Sequence, residues 1–333
     1  MQSSSNKPLN VAIIGAGLGG LSAAIALRRQ GHQVTVYERY DFAGEVGASL
    51  GVTPNCIKLL EQWGVDIPAA KPVSIMHMKH FTSNGLLTAV NKVDYSKFIV
   101  HNWETGEIKI TADWSDYKSR FGRAYKCFHR IDLHRQLQIS AFEKAGEGPA
   151  CILKVNHKAV EMDPEAGIIK FENAETVTAD LIVAADGIRS QSRISMGIAP
   201  KFQMSSSCCY RSIVRANTVR SLGLYEFLDN YALEYWGGHG INKIVMSPCS
   251  DGETLGFYCF YPTTHNDLRE DGWNISATPE QLTDTFPTLD PRVKTLMLHA
   301  EDIKMWRLYV HEPYPYWAKG KACLLGDAEQ LIQ

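Results

Sequence analysis

The hydrophobic pattern of the first forty residues changes period twice. Val11 to Ile14 is an unbroken apolar run, as expected for a parallel strand buried on both faces. The glycine turn Gly15-Ala16-Gly17-Leu18-Gly19-Gly20 follows at once. From there the apolar positions take helical spacing, with Leu21, Ala24, Ile25 and Leu27 on or near one face, until Gly31 supplies a stop. Gln33 to Tyr37 predicts a second strand, ending at Glu38. Two more buried-strand runs come much later. Leu181 to Ala185 closes with Asp186-Gly187 and a basic turn, Arg189 to Arg193, and Ala322 to Leu325 closes with Gly326-Asp327. Shorter helices are predicted at Cys56 to Trp63 and just after Arg130, where Leu133 and Leu137 stand four apart and Asp132 is placed to help start the helix.

From about residue 200 to residue 305 the pattern is different. Short alternating runs rich in aromatics, "CCYRSIVRAN", "YALEYWGG", "INKIVMSP" and "ETLGFYCFYP", have the spacing of a mostly antiparallel sheet. Gly237-Gly238-His239-Gly240 is a candidate hairpin turn within it.

Composition changes this picture little. A chain of 333 residues suits two domains or one elaborated α/β unit. Lys+Arg 34 against Asp+Glu 36 gives a net charge of -2, so there is no bulk electrostatic case for a nucleic-acid partner. The polar start MQSSSNKPLN runs into a strand without an apolar segment of signal-peptide type. No run approaches the roughly 20 apolar residues that span a bilayer. The eight cysteines, Cys56, Cys127, Cys151, Cys208, Cys209, Cys249, Cys259 and Cys323, are scattered without a CxxC pair. Most sit in apolar or strand-like stretches, which predicts reduced, buried thiols, no metal site and a cytoplasmic location.

The glycine turn carries the first candidate chemistry. Gly15 suits the tight turn, Gly17 a close approach of backbone to a pyrophosphate, and Gly20 a close helix–strand contact. The helix that follows points its free N–H groups at such a phosphate. Glu38, about 20 residues past the glycines, is placed to accept from a ribose 2′-hydroxyl and disfavours a 2′-phosphate there. This predicts a dinucleotide and leaves FAD and NAD both open.

Taken together, GAGLGG, Glu38-Arg39, GEVGASLGVTPN, His129-Arg130-x-x-Leu133, AADGIRS and LLGDA resemble the single-component FAD-dependent aromatic monooxygenases, nearest the salicylate-hydroxylase-like, fungal-type branch. The motifs fall in family order from about residue 9 to residue 328. The resemblance implies an α/β fold in which a Rossmann-like FAD-binding domain carries a mostly antiparallel β-sheet substrate domain. It divides the chain into FAD-binding segments at 8–72, 111–200 and 306–333, an inserted β segment at 73–110 and a substrate sheet at 201–305.

The resemblance also implies roles. Gly15, Gly17 and Gly20 would cradle the FAD pyrophosphate, Glu38 would hold the adenosine ribose, and Gly51 would lie in the loop beside the flavin. Arg130 would contact FAD, Asp186 would sit near pyrophosphate and ribityl, and Asp327 would hydrogen-bond the ribityl chain. Arg211 and Tyr210 are the candidate catalytic pair, Arg211 matching an arginine that positions a phenolic substrate in some relatives. His239 suits a substrate-facing residue or a plain turn histidine. Ser247 stands where some relatives carry a tyrosine, which Tyr258 or Tyr261 would have to replace.

The implied reaction uses NAD(P)H to reduce FAD and O₂ to form a flavin C(4a)-hydroperoxide that hydroxylates a small aromatic, salicylate-like or polyketide-derived substrate. A dehydrogenase using the same βαβ unit with NAD is the competing enzyme reading. A third reading is a weakly FAD-binding, silent relative. It rests on the end of the chain, where Glu329-Gln330 stand in place of an expected Ala-His and the helical C-terminal part of the family does not follow within these 333 residues. On that reading the chain is expected to bind FAD poorly.

Overall fold

The computed structural model describes residues 7–41, 47–74, 97–199, 201–265 and 273–329. Gly44 of the second glycine stretch, residues 75–96 of the expected inserted segment, and residues 330–333 after Glu329 lie outside the described residues.

The continuous apolar runs form the middle of a six-stranded sheet. Its order is Ala318–Lys319, Ala322–Leu324, Leu181–Ala184, Asn10–Ile14, Gln33–Tyr37 and Ile152–Lys154, all parallel except the first pair. Ile13 lies opposite Val183 on one side and Val36 on the other. One sheet face packs on the helices Leu18–Arg29 and Arg130–Phe142 through Leu21, Ile25, Leu133 and Leu137. The other face meets Met162, Ile169 and Phe171 of a small three-stranded sheet, together with Met196. Coverage on both faces is why these strands read as unbroken hydrophobic runs.

Two details differ from the sequence expectation. Arg130 is the first residue of its helix, and His129 occupies the N-cap without a side-chain bond. Asp132 lies in the first turn but accepts a hydrogen bond from Ser250 Oγ at 2.9 Å, so it ties this helix to another element. The basic turn also resolves differently. Ser190 caps the short helix Gln191–Ser195, and Arg193 within it is buried.

The alternating region forms an eight-stranded sheet. Its order is Trp273–Ser276, Glu301–Val310, Gln203–Arg215, Thr254–Pro262, Lys243–Cys249, Ala232–Gly237, Lys97–Asn102 and Ile108–Asp113. Every neighbouring pair is antiparallel except Ala232–Gly237 with Lys97–Asn102, which run parallel. Gly238 N donates to Asn242 O at 2.8 Å to close the expected hairpin, and His239 is exposed at its tip.

One face of this sheet is dry. Tyr210, Trp236, Met246, Phe257 and Tyr261 pack there against Leu282 and Leu296 of the helices Pro279–Asp284 and Pro291–Met297 and against Phe286 between them. The opposite face, which carries Phe98, Arg211, Tyr235, Val245 and Tyr258, is only half-buried. It turns toward the short strand Ser49–Val52 of the second glycine stretch.

Buried Arg28 holds the far end of the first layer together. Its Nη1 donates to the carbonyls of Ser140, Ala141 and Glu143 at 2.9, 3.0 and 3.0 Å, and its Nη2 to Gly148 O at 3.1 Å. Arg28 thereby gathers carbonyls from the end of the helix Arg130–Phe142 and the loop after it, among them the Ala141 carbonyl that also accepts from Cys151 N at 3.0 Å. Arg28→Met keeps the stem and removes the donors. It is expected to lower stability by about 3 kcal/mol, seen as a lower urea midpoint at unchanged slope; an unchanged midpoint would show that water replaces the guanidinium at no cost.

Candidate functional site

The glycine turn is built for close approach. Gly15 has φ +99°, and a Cβ there would overlap the Ala185 carbonyl. A Cβ on Gly20 would overlap the Gly15 carbonyl oxygen. Gly17 is different, because nothing lies within 4 Å of where its Cβ would stand. It is the N-cap of Leu18–Arg29, and no side chain caps that helix. An open space therefore faces the N–H groups of a helix start, which is the arrangement that receives an anion.

Acids surround this space. Glu38 Oε2 accepts from Ala16 N at 2.8 Å and Oε1 from Tyr40 N at 3.0 Å, which leaves carboxylate lone pairs for hydroxyl donors. Asp186 Oδ2 accepts from Ser192 N and Ser192 Oγ at 3.1 and 3.0 Å. Its Oδ1 is buried and has no partner, a costly state that a ligand hydroxyl or a water would relieve. Asp327 lies in the 3₁₀ turn Gly326–Ala328. Water reaches its side chain, yet the protein around it desolvates the carboxyl and raises its pKa, while Arg130 and Arg193 pull the other way. Arg130 and Asp327, nearly 200 residues apart in sequence, are thus brought within electrostatic reach of one another.

Glu38, Asp186, Asp327 and the glycine turn all follow the carboxyl ends of parallel strands, where open α/β sheets bind ligands. The partnerless Asp186 oxygen, the space over Gly17 and the uncapped helix start fit the pyrophosphate and polyol groups of a dinucleotide. Arg193 is not an exposed partner for it. Its Nη1 donates to Tyr314 Oη at 2.8 Å and its Nη2 to Ile188 O. A hollow of about 670 Å³ is lined by residues of this turn and beyond, among them Ile188, Arg189, Arg193, Ile194 and Phe202, and by none of these acids.

The second half of the site is the open sheet face. Arg211 lies over the Trp306 ring with its Cζ 4.0 Å from the centroid, and over Tyr258 at 4.8 Å. Its Nη2 donates to Tyr258 Oη at 2.7 Å, and its Nε is buried without a partner. Tyr258 Oη donates to Ser49 O, and the Ser49 and Ser247 hydroxyls bond one another. Burial raises the Tyr258 pKa against the opposing pull of Arg211. Ser247, the position where some relatives carry a tyrosine, thus helps to anchor the Ser49–Val52 strand, and the phenol beside Arg211 is that of Tyr258.

Tyr210 is placed elsewhere. Strand alternation turns it away from Arg211 into the apolar core, where it stacks on Tyr261 at 4.8 Å and 14°. Both are placed as core aromatics, and exposed His239 as a turn residue. Sequence reasoning missed Tyr125, whose hydroxyl fills the place a Gly51 Cβ would take. Burial, with smaller contributions from Cys127, Tyr258 and Tyr117, pushes its pKa up to about 12. A lone glycine inside a strand is the signal that marks such an approach.

The sequence profile of the FAD binding domain family matches residues 8–332. Hispidin-3-hydroxylase of Neonothopanus nambi is 33% identical over 336 residues, spanning 96% of this chain and 74% of its own. The 3-hydroxybenzoate 6-hydroxylase 1 of Aquipseudomonas alcaligenes is 26% identical, with 96% and 74% covered. Klebsiella pneumoniae HpxO, solved with FAD and uric acid, shares the fold at a TM-score of 0.74 and 20% identity, with 96% of this chain and 73% of that chain covered. The profile match along nearly the whole length and the identity to a hydroxylase carry one conclusion: the chain belongs to the FAD binding domain family and is an FAD-dependent monooxygenase.

Proposed function

We propose that this monooxygenase hydroxylates a phenolic ring held on the open sheet face, with Arg211 as the group that orients the ring and favours its phenolate. The observation that carries this reading is the state of Arg211. Its guanidinium is stacked between Trp306 and Tyr258, its Nε lacks an acceptor, and among the described residues no carboxylate pairs with it. A half-buried cation in that state is matched best by an anionic oxygen of a phenolate or aromatic carboxylate.

FAD, reduced by NAD(P)H, supplies the redox chemistry that activates O₂ when it is bound. The chain's own residues orient the ring, hold its oxygen ionised and keep water from the cleft. Gly15, Gly17 and Gly20 would cradle the pyrophosphate, Glu38 would take the adenosine ribose, and Asp186, Arg130 and Asp327 would line the pyrophosphate–ribityl segment. Gly51, packed on Tyr125, would border the flavin ring. Tyr210 is given no role in the chemistry. The ring would then lie against the inserted β segment 73–110 and the substrate sheet 201–305, meeting the cofactor segments 8–72, 111–200 and 306–333 where the two parts adjoin. Two relatives named for hispidin and 3-hydroxybenzoate hydroxylation support a hydroxylated aromatic substrate. All eight cysteines are free thiols, which suits the cytoplasm, and no described helix is long and apolar enough to cross a membrane.

Glu38→Ala and Asp327→Ala should each weaken FAD binding by about ten-fold, the worth of one good hydrogen bond. Flavin absorbance of the purified variants, titrated with FAD, measures this; undiminished retention in both would remove these roles. Gly17→Val should also weaken FAD binding yet leave the melting temperature of the FAD-free chain nearly unchanged. Gly20→Val should lower that temperature, because its Cβ meets backbone. Arg211→Ala should cut kcat/KM for phenol hydroxylation about 100-fold with FAD affinity within two-fold of the parent. Equal losses in both quantities would make Arg211 a structural residue instead.

A further inference from the structure

The open sheet face extends well beyond Arg211. Arg211, Tyr258, Val245 and Tyr235 stand directly opposite one another across four neighbouring strands. Three strand spacings of about 4.8 Å place Tyr235 about 14 Å from Arg211, longer than one benzoate ring spans. The next strand adds Phe98, tilted against Tyr235 at 6.1 Å. Trp114, following the strand Ile108–Asp113, stacks flat on Phe98 at 5.6 Å and 4°. Tyr117 continues the stack on Trp114 at 5.2 Å and 18°. Tyr125 returns the run to the cofactor side, with its ring 5.4 Å from Trp114 and its hydroxyl against Gly51.

These five rings are half-buried, unlike Trp236 and Tyr261 on the other face, which helices close off. None carries a charge, and the cation of the row stands at the Arg211 end. This row therefore has an anion-seeking end and an aromatic end, while Lys243, also on this face, lies over the Phe260 ring at 4.3 Å. We propose that Tyr235, Phe98 and Trp114 form a second aromatic subsite, so that the preferred substrates are elongated two-ring phenols. The phenolic ring would lie beside Arg211, and an uncharged planar ring would lie against this run. The proposal rests on the Arg211 reading for the first ring and adds the place of the second.

A simpler role for the same rings is to anchor residues 114–125 to the sheet, and the test separates the two. Isothermal titration of the FAD-loaded chain with resorcinol, and with a stilbene carrying the same resorcinol ring, reads the subsite without turnover. The stilbene is expected to bind about ten-fold more tightly than resorcinol, a typical gain for burying and stacking one ring. Trp114→Leu should abolish that advantage while leaving resorcinol affinity within two-fold, and Tyr117→Leu should reduce it. Tyr117→Leu also supplies the answer should Trp114→Leu fail to fold. Equal affinity of the two ligands in the parent chain, no binding of either, or a loss shared equally by both in the variants would overturn the subsite. Binding of both with the expected difference, but without hydroxylation of either, would leave the subsite standing and overturn the proposed reaction.

Discussion

The site depends on how closely the eight-stranded sheet packs on the short strand Ser49–Val52 and its neighbour Lys126–His129. Gly256 on the eight-stranded sheet has no side chain, and Ser49 occupies the place its Cβ would take. The neighbouring Ser247 hydroxyl bonds Ser49 Oγ, and Tyr258 Oη bonds Ser49 O. Two polar contacts and one missing methyl thus set the distance between the glycine stretch and the sheet face. Asp132 with Ser250 adds a fourth tie at the start of the helix Arg130–Phe142. Arg130 begins that helix, and its backbone N–H donates to Ala48 O at 2.9 Å, next to the same strand. Loosening this packing would separate the groups near Asp327 from the groups near Tyr258.

Legibility in the sequence followed the range of the forces involved. The parallel strands could be read because burial on both faces makes them continuous apolar runs, and Val11 to Ile14 and Leu181 to Ala184 stand almost as expected. The glycine turn could be read because much of its constraint is local: Gly15 has a positive φ and Gly20 packs on the Gly15 carbonyl, while only the Ala185 carbonyl against Gly15 comes from a distant strand. Arg211 and Tyr258 are 47 positions apart, and their pairing depends on the register of two strands, which no local pattern specifies. Tyr210 shows the same difficulty at its smallest scale. Adjacent strand residues face opposite ways, and an aromatic suits either the core or a substrate wall, so parity alone decided its place. Arg193 looked like one of several turn cations, but its Tyr314 partner comes from 121 residues further along.

The electrostatics of the open face follow from what surrounds Arg211. A guanidinium between two aromatic rings gains about 0.5–2 kcal/mol from each and keeps its full charge. The one hydroxyl it meets, Tyr258, cannot neutralise it. Burial raises the Tyr258 pKa, and its proton is committed to Ser49 O, so at neutral pH the tyrosine remains a neutral acceptor toward Arg211 and a donor toward the backbone. Ionising it would break the bond that holds the Ser49–Val52 strand. On the proposed reading the compensating anion for Arg211 arrives with the substrate, as an oxygen whose ionisation the cation favours. The same arrangement that packs Ser49–Val52 on the sheet leaves Arg211 without a carboxylate partner among the described residues, on the face where the proposed ring would lie.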